Sequence, residues 1–411
     1  MTVVGTMEKG DTWPKVLAYN YRADGDSRKA MRYKHYGIWK SYTWKDYYLE
    51  VKYTALGLVA LGFEVGDRLL IVGDNAHQWY AAELAAQANR GVSVGVYAEL
   101  TASEITHIGQ DSRARFAIAE DQEQVDKLLE IKEHLPLLER IIYWNYKGLT
   151  DYDDPLLLGH RELLQLGQDY EKDHPGCFEE NVDGGGVEDA CALVYSPATD
   201  GDAPEGVLLT HETMRTAVAA YLELDPWRRE DNIVPFLPPA WIVEQLFGIG
   251  CHLLSGSILN LAEEPGTLLR DATEIEPTIA FYGARMWEGQ AAMVQSSIRD
   301  ATGLKKLAFR LLMPVGYRMA DAHSRKERAG VFLKMTYSLD NIILFKPIRD
   351  RLGLSEARIC YSTGAALGAE TRRLYRALNI PVRGVSATTE DGETGTKRTV
   401  LRIEPVEGAF L

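Results

Sequence analysis

Short apolar, β-branched runs alternate with longer amphipathic ones along most of this chain. That alternation constrains the fold more than any other feature. RLLIVG at Arg68–Gly73 is strand-like and leads into Asp and Asn. WYAAELAAQANRG follows as a helix stopped at Gly91, and VSVGVY is β-rich again. RFAIAE, DQEQVDKLLEIKEHL and RIIYW continue the series. A second set runs through the strand Cys191–Ser196, VLLTH, the helix HETMRTAVAAYLEL, a helix near Trp241–Leu254, SILNL and TIAFYG. Strands separated by helical stretches of this length build βαβ units on a parallel sheet. The expected fold class is therefore α/β, with two doubly wound subdomains. The first is expected over residues 1–215 and the second over 216–390, followed by a short tail, 391–411. Gly303–Arg351 reads as mostly helical, and the polar, punctuated stretch 146–186 reads as a surface excursion.

A chain of 411 residues is too long for one simple core, which agrees with two units. The formal net charge of −14 argues against a nucleic-acid surface and against bulk attraction to anionic membranes. It leaves room for a local basic site. Four scattered cysteines without a CxxC pair suggest neither a zinc knuckle nor a disulfide framework, and fit reduced thiols in a cytoplasmic protein. The N-terminus lacks the pattern of a signal peptide, and no apolar run approaches the ~20 residues of a membrane-spanning helix. The histidines show no metal-ligand spacing.

Between two strand-like runs lies YSPATDGDAPEGVLLTH, Tyr195–His211. A Gly-rich loop after a buried strand can hold phosphate, because its backbone N–H groups converge and small residues let them approach. On spacing alone, a surface hairpin rich in turn residues explains the stretch equally well.

Several ordered segments resemble the adenylate-forming superfamily of acyl-CoA synthetases, in particular its bacterial long-chain fatty acyl-CoA ligases. They are YGIWKSYTWKDYY, LGFEVGDRLLIVGDNAHQWYAAELAAQA, the loop just quoted, FLPPAWIVEQLFG, ARMWE, LGLSEARICYSTGAALG and the SATTE at Ser386–Glu390. The resemblance implies ATP or AMP and Mg²⁺ as cofactors, CoA as co-substrate, and a fatty acid or acyl-CoA as ligand. Within the family pattern TSGTTG-x-PKG the chain keeps Thr199, Gly201, Pro204 and Gly206. It places Glu205 where the family has lysine, with Asp200 and Asp202 nearby. At ~5 Å and an effective dielectric of ~20, one unit-charge contact is worth about 3 kcal/mol, so the reversal opposes triphosphate binding strongly.

The resemblance further implies that Thr389 contacts phosphate and that Glu390 holds the metal. These two are the candidate catalytic residues, with Ser386 and Ala387 standing where the family has Tyr and Gly. Gly364, Ala365 and Ala366 match the adenine-binding segment. Trp241 is the candidate gate of an acyl tunnel, with Glu244 and Ala387 as further substrate-facing positions. After Glu390 only DGETGTKRTVLRIEPVEGAFL follows, where the family continues into a mobile domain bearing a lysine. The expected function is a fatty acyl-CoA ligase-like protein with impaired turnover. The alternative is a non-catalytic relative that regulates, scaffolds or binds acyl groups, alone, as a homodimer or with a protein partner.

Overall fold

The computed structural model describes residues 9–195, 204–325 and 330–386, and the backbone at 390–391, 397–398 and 404–405. The chain divides into two compact units. The first comprises Met1–Glu230, Pro238–Leu261 and Thr388–Leu401, and the second Asp231–Leu237, Ala262–Ala387 and Arg402–Leu411.

The first unit opens with helix α1 (Trp13–Asp24), strands β1 (Lys29–His35) and β2 (Ile38–Thr43), and helix α2 (Trp44–Ala60). The sequence YTWKD fixes the start of α2. Thr43 accepts from the backbone of Asp46, and the Asp46 side chain accepts from the backbone of Thr43, a reciprocal cap. Next come β3 (Arg68–Val72), α3 (His77–Ala88), β4 (Val92–Val96), α4 (Ala102–Ser112), β5 (Phe116–Ala119), α5 (Gln122–Ile131) and β6 (Arg140–Tyr143). Then follow β7 (Leu157–Gly159), α6 (His160–Asp173), α7 (Cys177–Gly184), β8 (Ala190–Tyr195), β9 (Gly206–Thr210) and α8 (His211–Leu224). Seven strands form one sheet in the order β7-β6-β5-β3-β4-β8-β9. All its pairings are parallel except β8 with β9. β4 and β5 are buried along their whole length, as strands covered on both faces must be.

The stretch 146–186 is not the excursion expected from its punctuation. It supplies β7, α6 and α7. Helix α6 is amphipathic, and its Leu163 and Gly167 are buried against α2. A Cβ on Gly167 would fall 2.0 Å from the Tyr53 carbonyl, so this close helix pair needs glycine there.

The second unit begins with the short strand β10 (Asn232–Ile233). The chain then returns to the first unit for a helical run, α9, made of Ile242–Glu244, a π-helical stretch Gln245–Cys251 and His252–Ser255. It is followed by β11 (Ile258–Leu261), which pairs in parallel with β1. Back in the second unit lie α10 (Leu268–Ile275), β12 (Ile279–Gly283), α11 (Ala284–Arg299), α12 (Gly303–Ser324) and α13 (Val331–Asp340). A π-helical stretch Asn341–Phe345 leads into α14 (Lys346–Leu352), then β13 (Ile359–Thr363), α15 (Ala369–Ala377) and β14 (Val382–Ser386). β10, β12, β13 and β14 pair in parallel, in that order. Trp287 anchors this unit's core. Its Nε1 donates to the Tyr361 carbonyl at 3.0 Å, and the Tyr375 hydroxyl donates to the Trp287 carbonyl at 2.6 Å. Short strands β15 (Glu390–Asp391), β16 (Lys397–Arg398) and β17 (Glu404–Pro405) complete the described backbone.

Candidate functional site

In open α/β sheets, ligands gather at the carboxyl ends of the strands. In the second unit three such ends are aligned by register, since Gly283 pairs with Thr363 and Thr363 with Val385. The next residues are therefore neighbours along one edge: Ala284 after β12, Gly364 after β13, and Ser386 ending β14. Gly364 has φ +83°, a backbone conformation that glycine adopts without the cost a Cβ would add. Gly364, Ala365 and Ala366 are exposed, whereas Thr363 before them is buried. A flat, small-residue ledge at strand ends can receive a planar ring. The structure thus brings Gly364–Ala366 and Ser386 together. Ala387 and Thr389 lie outside the described residues. Glu390 is described only in its backbone, paired with Arg398 in an antiparallel bridge.

In the first unit, β8 and β9 are joined at the pair Tyr195–Gly206, and the quoted loop spans them. Thr199 and Gly201 lie outside the described residues. Gly206 opens β9, and the exposed Glu205 immediately precedes it. The Pro204 carbonyl lies 3.1 Å from His107 Nε2 on α4, and the Tyr195 hydroxyl donates to Asp111 at 2.6 Å. Both feet of the loop are thus tied to α4.

The acyl-tunnel candidates Trp241 and Glu244 fall at the start of α9, and Glu244 belongs to a buried polar cluster within the first unit. Tyr80, Glu83 and Gln87 project from α3, and Glu244 and Gln245 from α9. Glu83 is fully buried and Glu244 only 4% exposed. The Glu83 carboxylate accepts from Gln87 Nε2 at 3.0 Å and from Gln245 Nε2 at 2.9 Å. Gln245 also donates to the Pro239 carbonyl at 2.8 Å, which ties Pro239 to the cluster. The Tyr80 hydroxyl lies 2.7 Å from Asn75 Oδ1 and 3.2 Å from Glu244 Oε1.

One hydroxyl proton serves one acceptor, so satisfying both contacts calls for a proton on Glu244. Burial points the same way. It pushes the Glu244 carboxyl up to about 8, only partly offset by the Tyr80 hydrogen bond. It pushes Glu83 up to about 7, against hydrogen bonds from Gln245, Ser93 and Gln87. The packing admits no bulk here. A Cβ on Gly248, one turn further along α9, would meet Glu244 Oε1 at 2.3 Å and the Tyr80 hydroxyl at 3.0 Å.

The arrangement buries two carboxyls whose protonated forms burial favours, among the amides of Gln87 and Gln245 and the Tyr80 hydroxyl. Among the described residues no group of three or more His, Cys, Asp or Glu side chains could hold a metal ion. Sequence reasoning singled out Glu244 but missed Tyr80 and Glu83. The available signal was Glu83 and Gln87 four apart in WYAAELAAQA, a helix otherwise too apolar to have a wet face.

Two parallel-stranded units with alternating helices define a doubly wound α/β fold, with a small-residue ledge at strand ends. The AMP-binding enzyme family model matches residues 20–392, and the chain belongs to that family. It is 27% identical to the long-chain-fatty-acid–CoA ligase ACSBG2 of Xenopus laevis over 352 residues, 84% of this chain and 46% of that protein. It is 24% identical to human ACSBG2, covering 84% of this chain and 51% of that one. The chain thus spans about half the length of the curated relatives it matches. Among solved structures, it superposes on the N-terminal domain of FACL13 from Mycobacterium tuberculosis with a TM-score of 0.61 at 16% identity, covering 92% of this chain and 76% of that one. It superposes on the anthranilate CoA ligase AuaEII in complex with anthranoyl-AMP with a TM-score of 0.66 at 17% identity, covering 97% and 67%. These two likenesses carry the fold.

Proposed function

We propose that this chain is a long-chain acyl-CoA ligase-type protein that has kept an adenine ledge and an acyl-facing element but grips the phosphates of ATP poorly. Family membership and the names of the curated relatives support the ligand class. The observation that carries the impairment is Glu205. It stands where the family pattern has lysine, exposed at the foot of a loop whose ends are fixed by the Tyr195–Gly206 pair. The residues present fit an adenine ring at Gly364–Ala366. They do not fit a triphosphate beside Glu205, because a carboxylate there repels the polyanion. Mg²⁺ at Glu390 and CoA as acceptor belong to this reading as partners of any residual activity. The same loss of charge stabilisation favours an acyl-binding role over turnover.

The test is acid-dependent pyrophosphate–ATP exchange by the purified chain, with fatty acids of several lengths and with Mg²⁺ or Mn²⁺. No exchange above background is expected. Exchange that disappears in Glu390→Ala would refute the impairment and establish an enzyme.

A further inference from the structure

The helices of Gly303–Leu352 carry an apolar face that the fold does not use. On α12 the buried side chains are Met313, Met319 and Ala320, yet Leu304, Leu307 and Leu311 form a separate stripe that is open to solvent. Their spacing of i, i+3, i+7 is that of a single helix face. Helix α13, packed against α12, repeats the pattern with Phe332, Met335 and Leu339. Phe332 is 82% exposed and Leu304 78%. Soluble domains rarely leave such stripes uncovered.

Charge says what covers them. Residues 303–325 and 330–352 hold nine Lys or Arg against three Asp or Glu, a net +6 within a chain of net −14. The rest of the chain therefore carries −20. Lys305 and Arg310 on α12 and Lys334 on α13 are exposed on the same helices as the stripes, and Lys346 at the start of α14 is exposed too. Of the three acids, Asp321 is already paired with Arg373 and Asp340 is buried. Between α11, α12 and the stretch running into α14 lies a cavity of about 540 Å³. Its lining is mostly apolar, including Phe309, Ile343 and Ile348, with Lys305 and Arg351 among it. That is the chemistry of an acyl chain with an anionic head.

We propose that the packed pair of helices α12 and α13 docks on an anionic lipid surface, with Leu304, Leu307, Phe332 and Met335 entering the interface and the flanking lysines and arginines meeting the headgroups. It lies on the bilayer and does not span it. Among the described residues no helix is long and apolar enough to cross a membrane. A second copy of the chain is the weaker occupant, because a two-fold contact on this face would set positive charge against positive charge. The proposal is independent of the acyl-ligase reading.

Flotation of the full chain with vesicles tests it, comparing phosphatidylcholine alone with phosphatidylcholine containing about 30% phosphatidylserine. Binding is expected with the anionic vesicles only, and is expected to weaken with added salt. Phe332→Glu should lower partitioning about tenfold or more. Lys334→Glu should lower it roughly 25-fold, about fivefold for each unit of charge changed. Both sites are exposed, and unchanged circular-dichroism melting would confirm that each variant folds. Sedimentation of wild type and Phe332→Glu accompanies the assay. The proposal is overturned if the folded chain ignores anionic vesicles, or binds both compositions alike. It is equally overturned if Phe332→Glu abolishes a dimer instead of lipid binding.

Discussion

Replacing Glu244 by glutamine should flatten part of the pH dependence of stability. The carboxyl is buried against Tyr80 and beneath Gly248, and its pKa is raised by that burial to about 8. In the unfolded chain it titrates near its ordinary value of 4.5. Between these values the folded state binds one more proton than the unfolded state. The stabilisation is complete below the unfolded pKa and is lost as pH rises through the folded one. Each pH unit in that window costs about 1.4 kcal/mol, so going from about pH 5.5 to 8 removes roughly 3 kcal/mol in wild type. Glu83, raised to about 7, acts in the same direction over a narrower window. His211 and His252, both held near 3 by burial, act oppositely below about pH 6.5, where the unfolded chain charges its histidines. Comparing the two proteins cancels these shared contributions. The glutamine side chain keeps the volume and presents an N–H to the Tyr80 hydroxyl. Urea midpoints followed by tryptophan fluorescence should therefore coincide for wild type and Glu244→Gln in acid, where both side chains are neutral, and separate as pH rises toward 8, with Glu244→Gln the more stable there. Midpoints that stay parallel across the range would show that Glu244 does not hold a proton in the folded state.

Gly248→Ala should destabilise the first unit by roughly 1–3 kcal/mol, because the new methyl meets Glu244 and Tyr80 in a packed interior. An unchanged urea midpoint would count against the described π-helical packing. Arg358→Ala should cost about 3 kcal/mol, since it strips the buried Asp231 of its guanidinium partner, as denaturation of the second unit would report. Glu205→Lys should strengthen Mg-ATP binding, measured calorimetrically, from a millimolar dissociation constant toward micromolar, the direction several kcal/mol of reversed Coulomb energy dictates. A long-chain acid or acyl-CoA should raise the melting temperature of the chain, and no shift with any chain length at saturation would mean that no acyl pocket exists.

The parallel strands were legible because β3, β4 and β5 are near-continuous apolar runs bounded by turn residues. Stretch 146–186 was not, because DYDDP and DHPG punctuate it so densely that the amphipathic pattern of α6 is masked. The Gly364–Ala366 ledge was readable as a strand-to-helix turn, and register then supplied Ser386 as its neighbour, which sequence spacing does not give. The buried carboxyl cluster was half legible. Glu244 was picked out only as a neighbour of Trp241 facing an acyl tunnel, and Glu83 gains its meaning from Gln245, 162 residues away, a meeting that no local pattern encodes. The phosphate loop is the reverse case. Glu205 was singled out from the order of residues and the family pattern alone, and residues 196–203 of that loop lie outside the described residues.

Net charge misleads for a related reason. A total of −14 over 411 residues argues for repulsion from an anionic surface only if the surface feels the whole molecule at once. At physiological ionic strength, interactions between exposed charges fade over about 8 Å, so a docking surface feels mainly the side chains that touch it. Residues 303–325 and 330–352 together hold +6. Distant acids on the other elements slow the approach but contribute little once contact is made. What decides docking is the local sum of that charge and the exposed stripes beside it. The salt dependence of vesicle binding separates the two contributions, because salt weakens the first and leaves the second.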